Sequence, residues 1–114
     1  MQRMPSMLDE TRYLQLVGET FRRIEDALAN VDPADVDLDS SGDVLTLTLR
    51  DGVRCIVNTQ RPARQLWLAA RANAWHFSYD ETRKEWIDDK GRGDELFSTL
   101  EKIVQAGSAT SVTF

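Results

Sequence analysis

Val57-Asn58-Thr59-Gln60-Arg61-Pro62-Ala63-Arg64-Gln65-Leu66-Trp67-Leu68-Ala69 is the stretch on which the fold of this chain turns. Side chains alternate faces along a strand, so Asn58 and Gln60 share one side of it. Pro62 ends that strand, because it has no N–H to donate to a ladder and its φ is fixed. Gln65 and Trp67 again share parity as the next strand begins. If the two strands pair through the Pro62 turn, one sheet face carries Asn58, Gln60, Gln65 and Trp67 together. A face covered by helices would hold Val, Ile and Leu there. Flat, uncharged, hydrogen-bonding surface around an indole suits a protein partner instead. The competing reading is local: tryptophan is usually largely buried, and amides beside a proline often tie down their own loop.

Working outward, the flanking segments alternate as strands should. Asp35-Val36-Asp37-Leu38-Asp39 places acids on one side and apolar residues on the other, and Ser40 to Asp43 reads as a turn. Val44 to Arg50 sets Leu45, Leu47 and Leu49 against Thr46 and Thr48. Asp51-Gly52 is a strong hairpin signal leading into Val53 to Asn58. After the Pro62 turn come strands over Gln65 to Arg71, Ala74 to Tyr79 and Lys84 to Asp88, the last two joined by Asp80 to Arg83.

Helical spacing occurs at the two ends. Leu14, Val17, Phe21, Ile24 and Leu28 mark one face of a helix over about 6–30, with Ser6, followed by Asp9, as its cap. Leu96, Phe97, Leu100, Ile103 and Val104 mark a second helix, with Gly107 as its terminator. The tail from Ser108 has no helical period, and Val112 and Phe114 are placed to fold back onto the core. One helix, about six antiparallel strands and one helix make an α+β two-layer sandwich in a single domain over 1–114. Both helices must cover the same sheet face, which leaves the other to solvent or to partners.

Composition narrows the function classes. With 41% apolar and 29% charged residues the chain reads as a soluble globule. Cys55 is its one cysteine, which excludes an intramolecular disulfide and a cysteine-cluster metal site. Met1 to Ser6 has no apolar stretch behind it, so no secretory signal is expected, and no run is long enough for a membrane span. The net charge of −5 is unevenly spread. Between Asp9 and Asp43 ten acids face only Arg12, Arg22 and Arg23, a local charge of −7. Phosphates would be repelled there, so nucleic acid is not an expected partner, whereas a cation or a basic protein surface is.

Glu19 and Asp26 lie seven apart on the first helix and so share a face, while Asp35, Asp37 and Asp39 line one side of the first strand. If those two elements are neighbours, the carboxylates form one negative band. Carboxylate oxygens suit hard cations such as Fe³⁺, Mg²⁺, Ca²⁺ or Mn²⁺. With no His or Cys interspersed, the expected sites are open, weak and exchangeable, with dissociation constants of roughly 10⁻⁵ to 10⁻³ M. The alternative is a solvated helix face and an edge strand protected from aggregation by charge. Arg22 and Arg23 sit where they could neutralise Glu19 and Asp26. His76 reads as a surface-strand residue and Cys55, in phase with Val53 and Val57, as a buried, inert thiol. No Ser-His-Asp arrangement, Gly-rich phosphate loop or HExxH helix is present.

The pattern Asn58-x-Gln60-x-Pro62-x-x-Gln65-Leu66-Trp67-Leu68 resembles the frataxin family, and so do Gly42 to Leu47, Trp75-His76-Phe77 and Glu85-Trp86-Ile87, in order and spacing, over about 8–114. The resemblance implies the same α-β sandwich. It also implies iron binding and docking on the basic surface of a cysteine desulfurase through the acidic region, here Glu19, Glu25, Asp26, Asp32, Asp35, Asp37 and Asp39. The amide–tryptophan patch would contact the desulfurase or the iron–sulfur scaffold protein. Without the mitochondrial extension of eukaryotic members, a bacterial, cytoplasmic protein is expected, monomeric or oligomerising with iron. The leading expectation is therefore a non-enzymatic, iron-binding accessory of iron–sulfur cluster assembly. A ferroxidase or iron-storage protein, and an acidic adaptor without an iron role, are the alternatives.

Overall fold

Period-two and period-three-to-four patterns resolve into eight regular elements. The computed structural model describes residues 8–114. In chain order these are α1 (Glu10–Leu28), β1 (Val36–Ser41), β2 (Val44–Leu49), β3 (Arg54–Gln60), β4 (Gln65–Ala70), β5 (Asn73–Asp80), β6 (Glu85–Asp88) and α2 (Leu96–Ser108). The strands form one antiparallel sheet in sequential order, so every connection is a hairpin. Arg61–Ala63 makes a single 3₁₀ turn at Pro62, and Arg64 leaves it at φ 53° to start β4.

Register then fixes both faces. Leu45, Leu47, Leu49, Cys55, Val57, Leu66, Leu68, Phe77 and Trp86 are buried on one face, and the buried stripes of both helices pack against it. On the other face Val44, Asn58, Trp67 and His76 stand side by side across four strands. The expected α+β sandwich, with both helices on one face, is the fold observed.

Several local details differ from expectation. Ser6 lies outside the described residues, and the cap of α1 is Asp9, whose carboxylate accepts from the Arg12 N–H at 2.8 Å. The buried face of α1 is also rotated: Tyr13, Leu16, Val17, Thr20, Ile24 and Leu28 are buried, Phe21 is half-buried, and Leu14 is 40% exposed. The reason is polar satisfaction. Tyr13 Oη donates to the Gln65 carbonyl at 2.7 Å, and Thr20 Oγ1 accepts from the buried Trp86 indole at 2.9 Å. A purely aliphatic stripe misses both residues.

Gly107, expected to terminate the second helix, lies inside it. A Cβ there would sit 2.3 Å from Leu49 Cδ1, so Gly107 is the point at which α2 meets β2. The helix ends instead at Ala109, which takes the left-handed conformation at φ 58°. Beyond it Val112 and Phe114 return to the core as expected. The Phe114 carbonyl accepts from Arg23 Nε at 2.8 Å and its N–H donates to Glu101 at 3.0 Å.

Candidate functional site

The amide–tryptophan patch assembles on the sheet face that the helices leave open. Asn58 is directly opposite Trp67 and Gln60 directly opposite Gln65, so the four residues form a two-by-two block. All four are half-buried. Next along the row His76 faces Trp67, and the two rings stack at 4.1 Å between centroids with planes 12° apart. A hollow of about 200 Å³ beside this stack is lined by Ile56, Asn58, Trp67, Ala69, Ala74 and His76. Asn58 Oδ1 faces the patch buried, without a hydrogen-bond partner among the described residues. Such an orphan carries a desolvation cost of about 1–3 kcal/mol.

The indole does not float. Trp67 Nε1 donates to Gln65 Oε1 at 2.9 Å, and Gln65 Nε2 donates to Ser78 Oγ at 3.0 Å and to Asp89 Oδ2 at 2.9 Å. Asp89 Oδ2 also lies 4.0 Å from His76 Nδ1, and the Asp89 N–H donates to the His76 carbonyl at 2.8 Å. Asp89 opens the loop between β6 and α2, which is tied by a fully buried carboxylate. Asp88 accepts from Arg92 Nε at 3.1 Å and Nη2 at 3.0 Å. These Arg92 hydrogen bonds hold the Asp88 carboxyl below the usual carboxylate range. Trp75 Nε1 donates to Asp94 at 3.1 Å and completes the knot.

Parity along single strands was enough to foresee Asn58, Gln60, Gln65 and Trp67. It did not identify His76, Ser78 or Asp89 as members of the patch. Cross-strand register supplies the first two, and Asp89 sits in a loop, where no periodicity marks it.

The seven candidate acids are distributed over both layers. Asp37 and Asp39 are exposed on β1 opposite Thr48 and Thr46, which puts them on the same open face as Trp67. Asp35 is half-buried just before β1 and accepts from Arg50 Nε at 2.7 Å. Asp32 shapes the turn into β1, its carboxylate accepting from the Ala34 N–H at 2.9 Å. Glu19 instead lines a crevice of about 240 Å³ with Tyr79, Lys84 and Glu85, toward β6 at the far edge of the sheet from β1. Asp26 is exposed and Glu25 half-buried on α1. Arg23 Nε donates to the Phe114 carbonyl and its guanidinium lies 4.0 Å over the Phe97 ring, in the same crevice that Glu19 lines. Among the described residues no three carboxylate, imidazole or thiol groups converge on one point. What this arrangement can do with a cation is hold it loosely at open carboxylates.

Cys55 is buried, and its thiol is pushed up to about 12 by desolvation, which leaves essentially no thiolate at neutral pH. No helix among the described residues is long and apolar enough to cross a membrane.

Comparison with known proteins agrees with this geometry. A model of the frataxin-like domain matches residues 6–109. The chain is 39% identical over 107 residues to the iron-sulfur cluster assembly protein CyaY of Pseudomonas fluorescens strain Pf0-1, covering 94% of this chain and 96% of that one. It is 40% identical over 96 residues to CyaY of Azotobacter vinelandii, covering 84% and 86%. Among solved structures, frataxin from Psychromonas ingrahamii superposes with a TM-score of 0.83 at 32% identity, covering 93% of this chain and 97% of that one. The trimeric frataxin of Saccharomyces cerevisiae, solved complexed with ferrous iron, shares the fold at a TM-score of 0.60 and 21% identity, covering 96% and 94%. With the domain model matched along almost its whole length and the Asn-x-Gln and Gln-x-Trp pairs meeting across β3 and β4, this chain belongs to the frataxin family.

Proposed function

We propose that the protein is a non-enzymatic, iron-binding accessory of iron–sulfur cluster assembly in the bacterial cytoplasm. It docks on a cysteine desulfurase, and on the scaffold protein that receives its sulfur, through the open sheet face. The observation that carries this reading is the continuity of that face. Asp37 and Asp39 at its β1 edge and the Asn58, Gln60, Gln65 and Trp67 block at its centre are presented in one direction. One partner can therefore meet acid and aromatic patches together. CyaY relatives named for iron-sulfur cluster assembly, at about 40% identity over most of the chain, support the pathway.

Charge and chemistry support the rest. The acids between Asp9 and Asp43 complement a basic protein surface and attract cations. Iron bound at Asp37, Asp39 and the α1 acids is held by open carboxylates, so it exchanges freely and other divalent ions compete with it. The protein acts as a monomer, or as an oligomer that forms with iron. A non-enzymatic role fits a thiol that is protonated at neutral pH and an imidazole committed to a stack. Metal and partner then draw on the same carboxylates, which makes docking iron-responsive.

Titration calorimetry against the cognate cysteine desulfurase, anaerobic, with and without Fe²⁺ and at two salt concentrations, tests this. Binding that weakens with salt and changes with Fe²⁺ is expected. Affinity indifferent to both would remove the acidic carboxylates from the interface.

A further inference from the structure

Resting on the reading of Trp67 as a partner-binding platform, we infer that Asp89 is the positioning residue that sets the orientation of that platform through Gln65. The logic is one of donor and acceptor polarity. A primary amide has an oxygen at one end and an NH₂ at the other, and it can flip. An ionised carboxylate only accepts. Asp89 Oδ2, 2.9 Å from Gln65 Nε2, therefore dictates that the NH₂ end of Gln65 points toward the β6–α2 loop. The oxygen end must then face the Trp67 N–H, where it accepts at 2.9 Å. Ser78, the other group near Nε2 at 3.0 Å, cannot impose this, because a hydroxyl donates or accepts equally well. Without Asp89 the donor-only indole N–H still prefers the amide oxygen, but Nε2 keeps only the Ser78 hydroxyl as acceptor and the amide is held less firmly. The bond that keeps the indole flat against His76 then loosens.

The consequence for recognition is specific. The Trp67 N–H is already satisfied, so a partner reads the indole by its ring surface. The acidic character of Asp89 serves orientation, and its backbone N–H, bonded to the His76 carbonyl, keeps the loop in place when the side chain is removed.

The three tryptophans supply an internal control. Each indole N–H has its own acceptor: Gln65 for Trp67, Asp94 for Trp75 and Thr20 for Trp86. In ¹H–¹⁵N correlation spectra, Asp89→Ala should shift and broaden the Trp67 indole signal while that of Trp86, on the opposite sheet face, stays in place. Asp89→Asn, whose neutral amide can flip and accepts less strongly than a carboxylate, should leave the Trp67 signal shifted. Affinity for the cognate desulfurase–scaffold complex should fall about three- to tenfold in Asp89→Ala and stay reduced in Asp89→Asn. An unmoved Trp67 signal in Asp89→Ala overturns the inference, as does a Trp86 signal that moves with it. A moved Trp67 signal with unchanged affinity overturns the link from orientation to binding. Full affinity in Trp67→Ala would instead sink the platform reading itself, and the spectra would still report on Asp89.

Discussion

Asp88 and Asp89 are neighbours with opposite duties. Asp88 points into the protein and ties the loop through Arg92, whereas Asp89 points out and addresses Gln65. Because the Arg92 hydrogen bonds lower the Asp88 pKa in the folded state, the stability this carboxylate contributes is present above its unfolded pKa, about 3.9, and is lost as pH falls through the lower folded value. Asp88→Asn should therefore lower Tm most near neutral pH, and the gap from wild type should close in acid below about pH 4. Melting curves from pH 2.5 to 7 check this, and a gap independent of pH contradicts it. Single-residue roles were legible in the sequence only where strand parity applied. Asn58, Gln60, Gln65 and Trp67 follow from alternation around Pro62, but a loop carboxylate acting through an amide leaves no pattern to read.

Elements were legible where apolar spacing was regular and obscure where polar groups completed the core. All six strands follow from alternation, yet β1 runs on to Ser41 because Gly42, at φ 59°, makes the turn tighter than the polar run suggests. The buried face of α1 is rotated by part of a turn from its aliphatic stripe, since Tyr13 and Thr20 are buried by the hydrogen bonds they make. Gly107 is the sharpest case. A glycine near a helix end reads as a terminator, but here it permits contact with Leu49, which is itself buried. Alanine there gains roughly 1 kcal/mol of helix propensity. Its Cβ would fall within 3.0 Å of Leu49 Cβ as well as 2.3 Å from Cδ1, so rotating the leucine tip alone does not clear it. Overpacking of this kind costs about 1–3 kcal/mol. Gly107→Ala should be net destabilising in urea unfolding; a stabilised variant would mean that α2 and β2 separate freely.

For the whole molecule, the decisive feature is that two helices cover one face of six strands and leave the other open. The sequence announced this architecture, because only two apolar helical stripes were available. It did not reveal that the acids divide between layers, with Asp37 and Asp39 beside the Trp67 face and Glu19 in the crevice at the β6 side. That split depends on how α1 is rotated over the sheet. Replacing Asp37 and Asp39 by Asn should slow association with a basic partner and flatten its salt dependence. Stability should rise slightly, by up to about 0.5 kcal/mol, as like charges no longer crowd. Stopped-flow association at several salt concentrations reads the first effect, and an unchanged salt slope would detach these acids from the interface.

The most direct test of an open face built for docking is Trp67→Ala, measured for affinity to the cognate cysteine desulfurase by calorimetry and for thermal unfolding in parallel. Trp67 is half-buried, so its loss should spare the fold while weakening binding by about 2 kcal/mol or more, roughly thirtyfold. A large drop in Tm with binding intact would make Trp67 a core residue and the open face a bystander.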